Sequence, residues 1–265
     1  MNDPNLRLLL VLLVALLAGG AVWYFWDDLN PSAQIPATPD AALQQDADAP
    51  AGPIHPIEPV EPPGPSDREL VPLPALDDSD SYFVLEMIDL FGPDAGQVLV
   101  SDALIDKFVA TIDNLPRSHV AEKSRPVGRL ASNFAIDESV SGDKTYLSPE
   151  NYQRYSALVA LVDNADMDAV AAMYRRFYPL FQESYVRLGY PNGYFNDRVV
   201  EVIDHLLATP EPDYPVELVR PNVLYQFADP KLESLSSGQK LLIRIGPENA
   251  ATIKQALSEL RARIT

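Results

Sequence analysis

The hydrophobic pattern divides the chain into three successive parts. Residues 8–26 form an apolar run without a charge or a proline, and residues 27–74 are polar and proline-rich without a helical or strand period. From residue 75 onward, apolar side chains recur at intervals of three and four, the spacing of amphipathic helices. We therefore predict a mainly α protein, with a cytoplasmic tail at 1–7, a transmembrane helix, a disordered tether, and one helical domain at 75–265.

Within that domain the periodicity predicts six to eight helices and at most a short hairpin, which would pair 134–136 with 145–147. Pro179 lies inside the longest predicted helix, 166–188, and should kink or split it. The stretch 216–227 fits a strand or a helix equally well. The predicted helices begin at Ser79 or Asp80, Ser101, Ser148, Asp166, Phe195, Ser237 and Gly246.

The apolar run has the length of a membrane span. Its 19 residues would form a helix of about 28 Å, close to the ~30 Å hydrocarbon core of a bilayer. Trp23, Tyr24 and Trp26 close the run, and such aromatic side chains favour the membrane–water interface. A cleaved signal peptide is the alternative, but its apolar core is shorter and its cleavage site needs small residues.

Basic residues around the span predict its orientation. Arg7 precedes the span, whereas Asp27 and Asp28 follow it and no Lys or Arg occurs until Arg68. The positive-inside rule then places the N-terminus in the cytoplasm and the domain outside. We therefore expect a single pass through the membrane, with the lipid bilayer as the partner of 8–26 and the domain on the outer side.

The tether carries 12 of the chain's 25 prolines between Leu29 and Pro74. They recur every third residue from Pro50 to Pro62, which is the period of a polyproline II helix. At about 3.1 Å per residue the stretch would reach roughly 140 Å. We interpret it as a spacer; a ligand for a proline-binding module is the alternative.

Charge and composition exclude several functions. The formal net charge is −18, and so acidic a chain should repel nucleic acid. It contains no cysteine, which rules out disulfides and thiol nucleophiles. Metal-binding, phosphate-binding and nucleophile motifs do not occur in the sequence, so we predict no cofactor and no metal site.

Aromatic residues are concentrated around the longest predicted helix. The simplest interpretation is that they pack the core, although a partly exposed groove for sugar rings or a peptide is an alternative, because phenols need a polar partner. The residues are Tyr174, Phe177, Tyr178, Phe181, Tyr185, Tyr190, Tyr194 and Phe195.

Acidic residues near these aromatics are the candidate catalytic groups. Glu183, Asp197 and Glu201 would supply the paired carboxylates of a glycan-acting enzyme. Against this, acids at helical spacing usually form a solvated face. Arg198 and His205 lie where they can pair with Glu201 along the helix.

Several long motifs resemble a known family. They are the segments 108–117 (FVATIDNLPR), 190–210 (beginning YPNGYFNDR), 225–230 (YQFADP) and 237–240 (SGQK). They are similar to a proteobacterial family catalogued as domain of unknown function 3014. The resemblance, which runs from about Val71 to the C-terminus, implies an uncharacterised single-pass envelope protein and brings no catalytic residues.

Together with the resemblance, these patterns favour a non-enzymatic interaction or scaffold module of the bacterial cell envelope. We expect it at the inner membrane, crossed once, with the domain in the periplasm. Its partner would be peptidoglycan or an envelope protein complex, and the alternative is a cell-wall enzyme. The candidate binding surface combines two helix ends that carry polar, aromatic and arginine residues. It consists of Asn114, Arg117, Tyr190, Asn192, Tyr194, Asn196 and Arg198.

Overall fold

The computed structural model describes residues 52–57, 72–92, 99–100, 102–120, 124–126, 134–139, 142–163, 165–222 and 224–265. Within these ranges, no helix combines the length and the apolar character needed to cross a bilayer. The predicted span at 8–26, with Trp23, Tyr24 and Trp26, lies outside them.

Helices make up most of the described chain, which confirms the mainly α class. Eight α-helices and one 3₁₀ helix, Leu76–Asp78, are present among the described residues. The α-helices are α1 (Asp80–Phe91), α2 (Leu104–Asn114), α3 (Glu150–Asp163), α4 (Met167–Leu188), α5 (Phe195–Leu207), α6 (Pro230–Glu233), α7 (Ser237–Arg244) and α8 (Pro247–Ile264).

A four-stranded antiparallel sheet contains the predicted hairpin as its first two strands and extends it beyond the prediction. Its strands lie in chain order: β1 (Ile136–Glu138), β2 (Thr145–Leu147), β3 (Glu217–Val219) and β4 (Gln226–Phe227). The ambiguous stretch 216–227 therefore forms strands, with Leu218 paired to Phe227. An isolated hairpin is marginally stable, and here β3 extends it while buried Leu218 and Phe227 join a small core with Ile243.

Aromatic rings on α4 form the centre of the main core. Phe177 and Phe181 are fully buried, and each lies edge-on to Phe83 of α1, with ring centroids 5.1 and 6.0 Å apart. Phe181 also contacts Phe108 of α2 and Phe195 of α5. Since such pairs add to the gain from burial, α4 is the element around which α1, α2 and α5 pack.

Two predictions about helix limits need correction. Helix α4 is not split at Pro179 but runs without a break from Met167 to Leu188. Helix α2 begins at Leu104, after Ala103 in a left-handed conformation; Ser101 lies outside the described residues. The amides of Ala103 and Leu104 donate instead to Asp80 of α1, at 2.7 Å each. A residue distant in sequence thus supplies the cap that a preceding serine would supply locally.

Candidate functional site

A buried carboxylate, Asp113, lies in the last turn of α2. Its side chain is only 3 % exposed, although a negative charge at a helix C-terminus opposes the helix dipole. Burial of a charge is tolerable only when it is paired and hydrogen-bonded. Arg117, four residues later, provides one partner, with its Nη2 2.8 Å from Asp113 Oδ2.

The second cation on Asp113 comes from α5. Arg198 donates from Nε to Asp113 Oδ1 at 2.9 Å and from Nη2 to the Asp113 carbonyl at 2.8 Å. Its Nη1 contacts Glu201 Oε2 at 2.7 Å. Burial by itself would lower the pKa of Arg198, but the Glu201 hydrogen bond and the Asp113 charge outweigh it and raise that pKa. Arg198 therefore stays charged and ties α5 to the end of α2.

A tyrosine from the turn before α5 completes the network. Tyr190 donates its hydroxyl to Asp113 Oδ2 at 3.1 Å and accepts from Arg117 Nη2 at 3.0 Å. Its ring stacks on Tyr185, with centroids 4.5 Å apart and planes 14° from parallel. Burial and the neighbouring Asp113 charge raise the pKa of Tyr190. Its phenol therefore stays protonated and can keep donating to the carboxylate.

The turn itself is held by Gln182 on α4. The Gln182 amide donates to the Gly193 carbonyl at 2.8 Å, and its oxygen accepts from the Phe195 amide at 2.8 Å. Gly193 also lies against Tyr185, since an added Cβ would come within 3.0 Å of that ring. These contacts hold the turn against α4 and so position Tyr190 beside Asp113.

Helix α7 closes the site from a third direction. The amides of Ser237 and Gly238 donate to the carbonyls of Arg117 and Leu115, at 2.8 and 3.0 Å. A Cβ at position 238 would lie 2.7 Å from the end of the Leu206 side chain and 3.2 Å from the Leu115 carbonyl oxygen, so glycine favours this close packing. The N-terminus of α7 thereby caps the chain as it leaves α2.

A histidine hydrogen bond supports the start of α7. Ser236 accepts from the Gln239 amide in a capping box, and its hydroxyl lies 2.8 Å from His205 Nε2. The Ser236 oxygen already accepts from the Gln239 amide. We therefore assign the Ser236 hydroxyl as the donor and His205 Nε2 as the acceptor. Burial lowers the pKa of His205, which agrees with a neutral ring.

The structure brings together some of the predicted binding residues and separates others. Arg117, Tyr190 and Arg198 meet at Asp113. By contrast, Asn114 donates to the Ala110 carbonyl of its own helix. Three others stay outside the network: Asn192 is exposed, Tyr194 precedes α5 as its N-cap, and Asn196 is buried beneath residues 52–57.

The candidate catalytic acids are engaged in three separate contacts. Glu183 pairs with Arg187 and Glu201 with Arg198, whereas Asp197 accepts backbone amides from residues 54 and 55. Five of the eight aromatic residues pack the core, as the simplest interpretation of the sequence predicted: Tyr174, Phe177, Phe181, Tyr185 and Phe195 are buried. The arrangement therefore gives the glycan-acting alternative no support. Among the described residues, no group of three or more His, Asp or Glu side chains forms a metal site.

Sequence reasoning missed two residues that organise this site, Asp113 and Gln182. Asp113 did carry a signal, because an acid in the last turn of a helix is unfavourable unless a cation compensates it, and Arg117 follows at i+4. Gln182 carried none, since its partners are backbone groups that only the folded turn places nearby.

The fold and the site define a mainly helical domain with a small antiparallel sheet and a buried ionic network at a junction of three segments. The family model described as Protein of unknown function (DUF3014) matches residues 104–261. The chain belongs to this family. The comparisons with curated proteins and with solved structures found no match.

Proposed function

We propose that this chain is a membrane-anchored interaction or scaffold module of the bacterial cell envelope, with its domain in the periplasm. The anchor is the apolar run 8–26, which has the length of a bilayer span and ends in interfacial aromatics. A C-terminal alkaline phosphatase fusion tests the topology. Activity of the fusion supports a periplasmic domain, and an inactive fusion on a stable protein contradicts it.

The interaction surface is the exposed side of the Asp113 network, which we name the Arg117 rim: Arg117, Tyr190, Asn192 and Glu201. The Arg117 side chain is 48 % exposed and that of Glu201 66 %. Asn192 is exposed and Tyr190 half-buried. Arginine and tyrosine are among the residue types that contribute most to binding at protein interfaces.

The observation that carries this proposal is that buried contacts hold Arg117 and Tyr190 of the rim in one conformation. Arg117 and Tyr190 both donate to Asp113 Oδ2, and Tyr190 is also stacked on Tyr185. Side chains held in one conformation lose little entropy when they bind a partner. The chemistry of the rim favours an envelope protein over peptidoglycan, since one arginine and one tyrosine ring give a small, shaped contact rather than an extended sugar cleft.

Affinity capture from solubilised membranes tests the rim with a matched pair of variants. Arg117→Ala should lose a captured envelope protein, whereas Arg187→Ala should retain it. Arg187 is the matched control because its side chain is 46 % exposed and is likewise ion-paired. Equal capture by both variants would refute the Arg117 rim as the interaction surface. Co-sedimentation of the chain with purified sacculi, abolished by Arg117→Ala, would make peptidoglycan the partner instead.

A further inference from the structure

A short proline-flanked segment of the tether lies on the surface of the domain. Residues 52–57 read Gly-Pro-Ile-His-Pro-Ile. The Ile57 side chain packs against the main core, whereas the Ile54 side chain is 68 % exposed. The segment is therefore attached mostly through its backbone and one apolar side chain.

Asp197, in the first turn of α5, accepts two consecutive backbone amides of this segment. The Ile54 amide lies 3.0 Å from Asp197 Oδ2, and the His55 amide lies 2.7 Å from Oδ1. In an extended strand, successive amides point to opposite sides, so one carboxylate can accept both only where the chain bends. The chain does bend at residues 54 and 55 and does not continue there as the straight rod that the proline spacing suggested.

Asn196 binds the next polar group of the segment, the His55 carbonyl. Its Nδ2 donates to the His55 carbonyl at 2.9 Å and to the Ile264 carbonyl at the end of α8 at 2.8 Å. Its Oδ1 accepts from the Tyr174 hydroxyl at 3.0 Å. With all these bonds made, Asn196 is fully buried, and its orientation is fixed whether or not the segment is present.

The positions of the two prolines leave the segment with the pair of amide donors that Asp197 accepts. Pro53 and Pro56 have no amide proton, so Ile54 and His55 carry the only two consecutive donors between them. Asp197 makes no ion pair within the described part of the chain, which leaves both its oxygens for these amides. As an acid in the first turn of α5 it is also favoured by the helix dipole. The site is thus built for paired amide donors.

We propose that Asn196 and Asp197 form a peptide-binding site whose ligand is the chain's own segment 52–57, a bent backbone bracketed by prolines. Docking shortens the chain between the proposed membrane anchor and its first contact with the domain from residues 27–71 to residues 27–51. At about 3.1 Å per residue, these two stretches correspond to contour lengths of about 140 Å and about 80 Å. The effect on reach rests on the proposed membrane anchor; the docking itself does not.

Hydrogen exchange of the full chain in detergent micelles tests the docking directly. The wild-type amides of Ile54 and His55 should exchange more slowly than the intrinsic rate of an open chain. Asp197→Asn keeps the shape but replaces one acceptor oxygen with an amide, and it should speed exchange at both positions by at least about tenfold. Glu248→Gln is the matched control, since Glu248 is an exposed acid in the first turn of α8, and it should change nothing.

A second pair of variants changes Ile54, whose side chain is 68 % exposed, and leaves Asp197 and α5 unaltered. Ile54→Pro deletes one donor and should release the His55 amide to fast exchange, whereas Ile54→Ala keeps the donor and should preserve protection. Amides of α5, read in the same experiment, show that the domain stays folded. Open-chain exchange at Ile54 and His55 in the wild type would overturn the proposal, as would unchanged protection in Asp197→Asn. Neither result would affect the proposed anchor or the Arg117 rim.

Discussion

Replacing Arg198 by methionine should destabilise the domain far more than the same change at Arg117. Both arginines contact Asp113, but the Arg198 side chain is 17 % exposed and that of Arg117 48 %. Breaking a buried pair by removing one partner costs about 3–5 kcal/mol. Asp113 would keep its bonds from Arg117 and Tyr190, so we expect the lower end, about 3 kcal/mol. Arg117→Met should cost only about 0.5–1 kcal/mol, because exposed pairs contribute little.

Urea unfolding of the full chain in detergent micelles, followed by far-ultraviolet circular dichroism, measures both costs. Methionine keeps most of the apolar stem of arginine, so the comparison reports on the guanidinium. In Asp113→Asn with Arg198→Met, the buried charge is gone, and the double variant should be less destabilised than the sum of the two single changes by more than about 1 kcal/mol. Equal costs for Arg198→Met and Arg117→Met, or strict additivity, would refute the argument that Asp113 is a buried charge held by Arg198.

Three further predictions concern the surroundings of the site. Gly246→Ala should lower the free energy of unfolding by about 3 kcal/mol, because the φ of Gly246 is +90° and a Cβ would come within 2.5 Å of the Tyr152 ring. Gly142→Ala is the control. Gly142 has a φ of +70° and nothing within 4 Å of an added Cβ, so this change should cost only about 1–2 kcal/mol in the same urea assay. Burial lowers the pKa of His205 below 6.5, so the unfolded chain binds the proton first and stability should fall as pH drops below 6.5. His205→Gln should flatten that slope, and an unchanged slope would contradict the assignment. Asp80→Ala removes the acceptor for the amides of Ala103 and Leu104 and should cost about 0.5–2 kcal/mol by the same assay; no change would mean that water caps the helix equally well.

The helices were predictable because their signals are local. Asp166 accepts from the amides of residues 168 and 169 as the N-cap of α4, and Gly189 ends that helix, as the sequence indicated. The four-stranded sheet was not predictable, since β3 and β4 are two or three residues long and gain stability from pairing with distant strands. The start of α2 was missed for the same reason, because its cap comes from another helix.

The site was predictable at its surface but not at its centre. Tyr190 and Arg198 flank a Pro-Asn-Gly turn, and Arg117 follows a helix end, so polar groups at these positions suggested a surface. Their common partner, Asp113, lies in a segment that periodicity assigned to an ordinary helix. Asn196 donates to the His55 carbonyl, a contact that depends on residues 52–57 returning to α5, which no local pattern indicates.

Photo-crosslinking in living cells tests the central claim most directly. A photoreactive residue at position 192 of the full chain would probe the Arg117 rim, since Asn192 is exposed within the turn that carries Tyr190. The same residue at position 248, exposed on α8, is the matched control. We predict one discrete adduct with an envelope protein from position 192, absent from 248 and lost when Arg117→Ala is added. No adduct at 192, or the same adducts from both positions, would contradict an interaction module built on this rim.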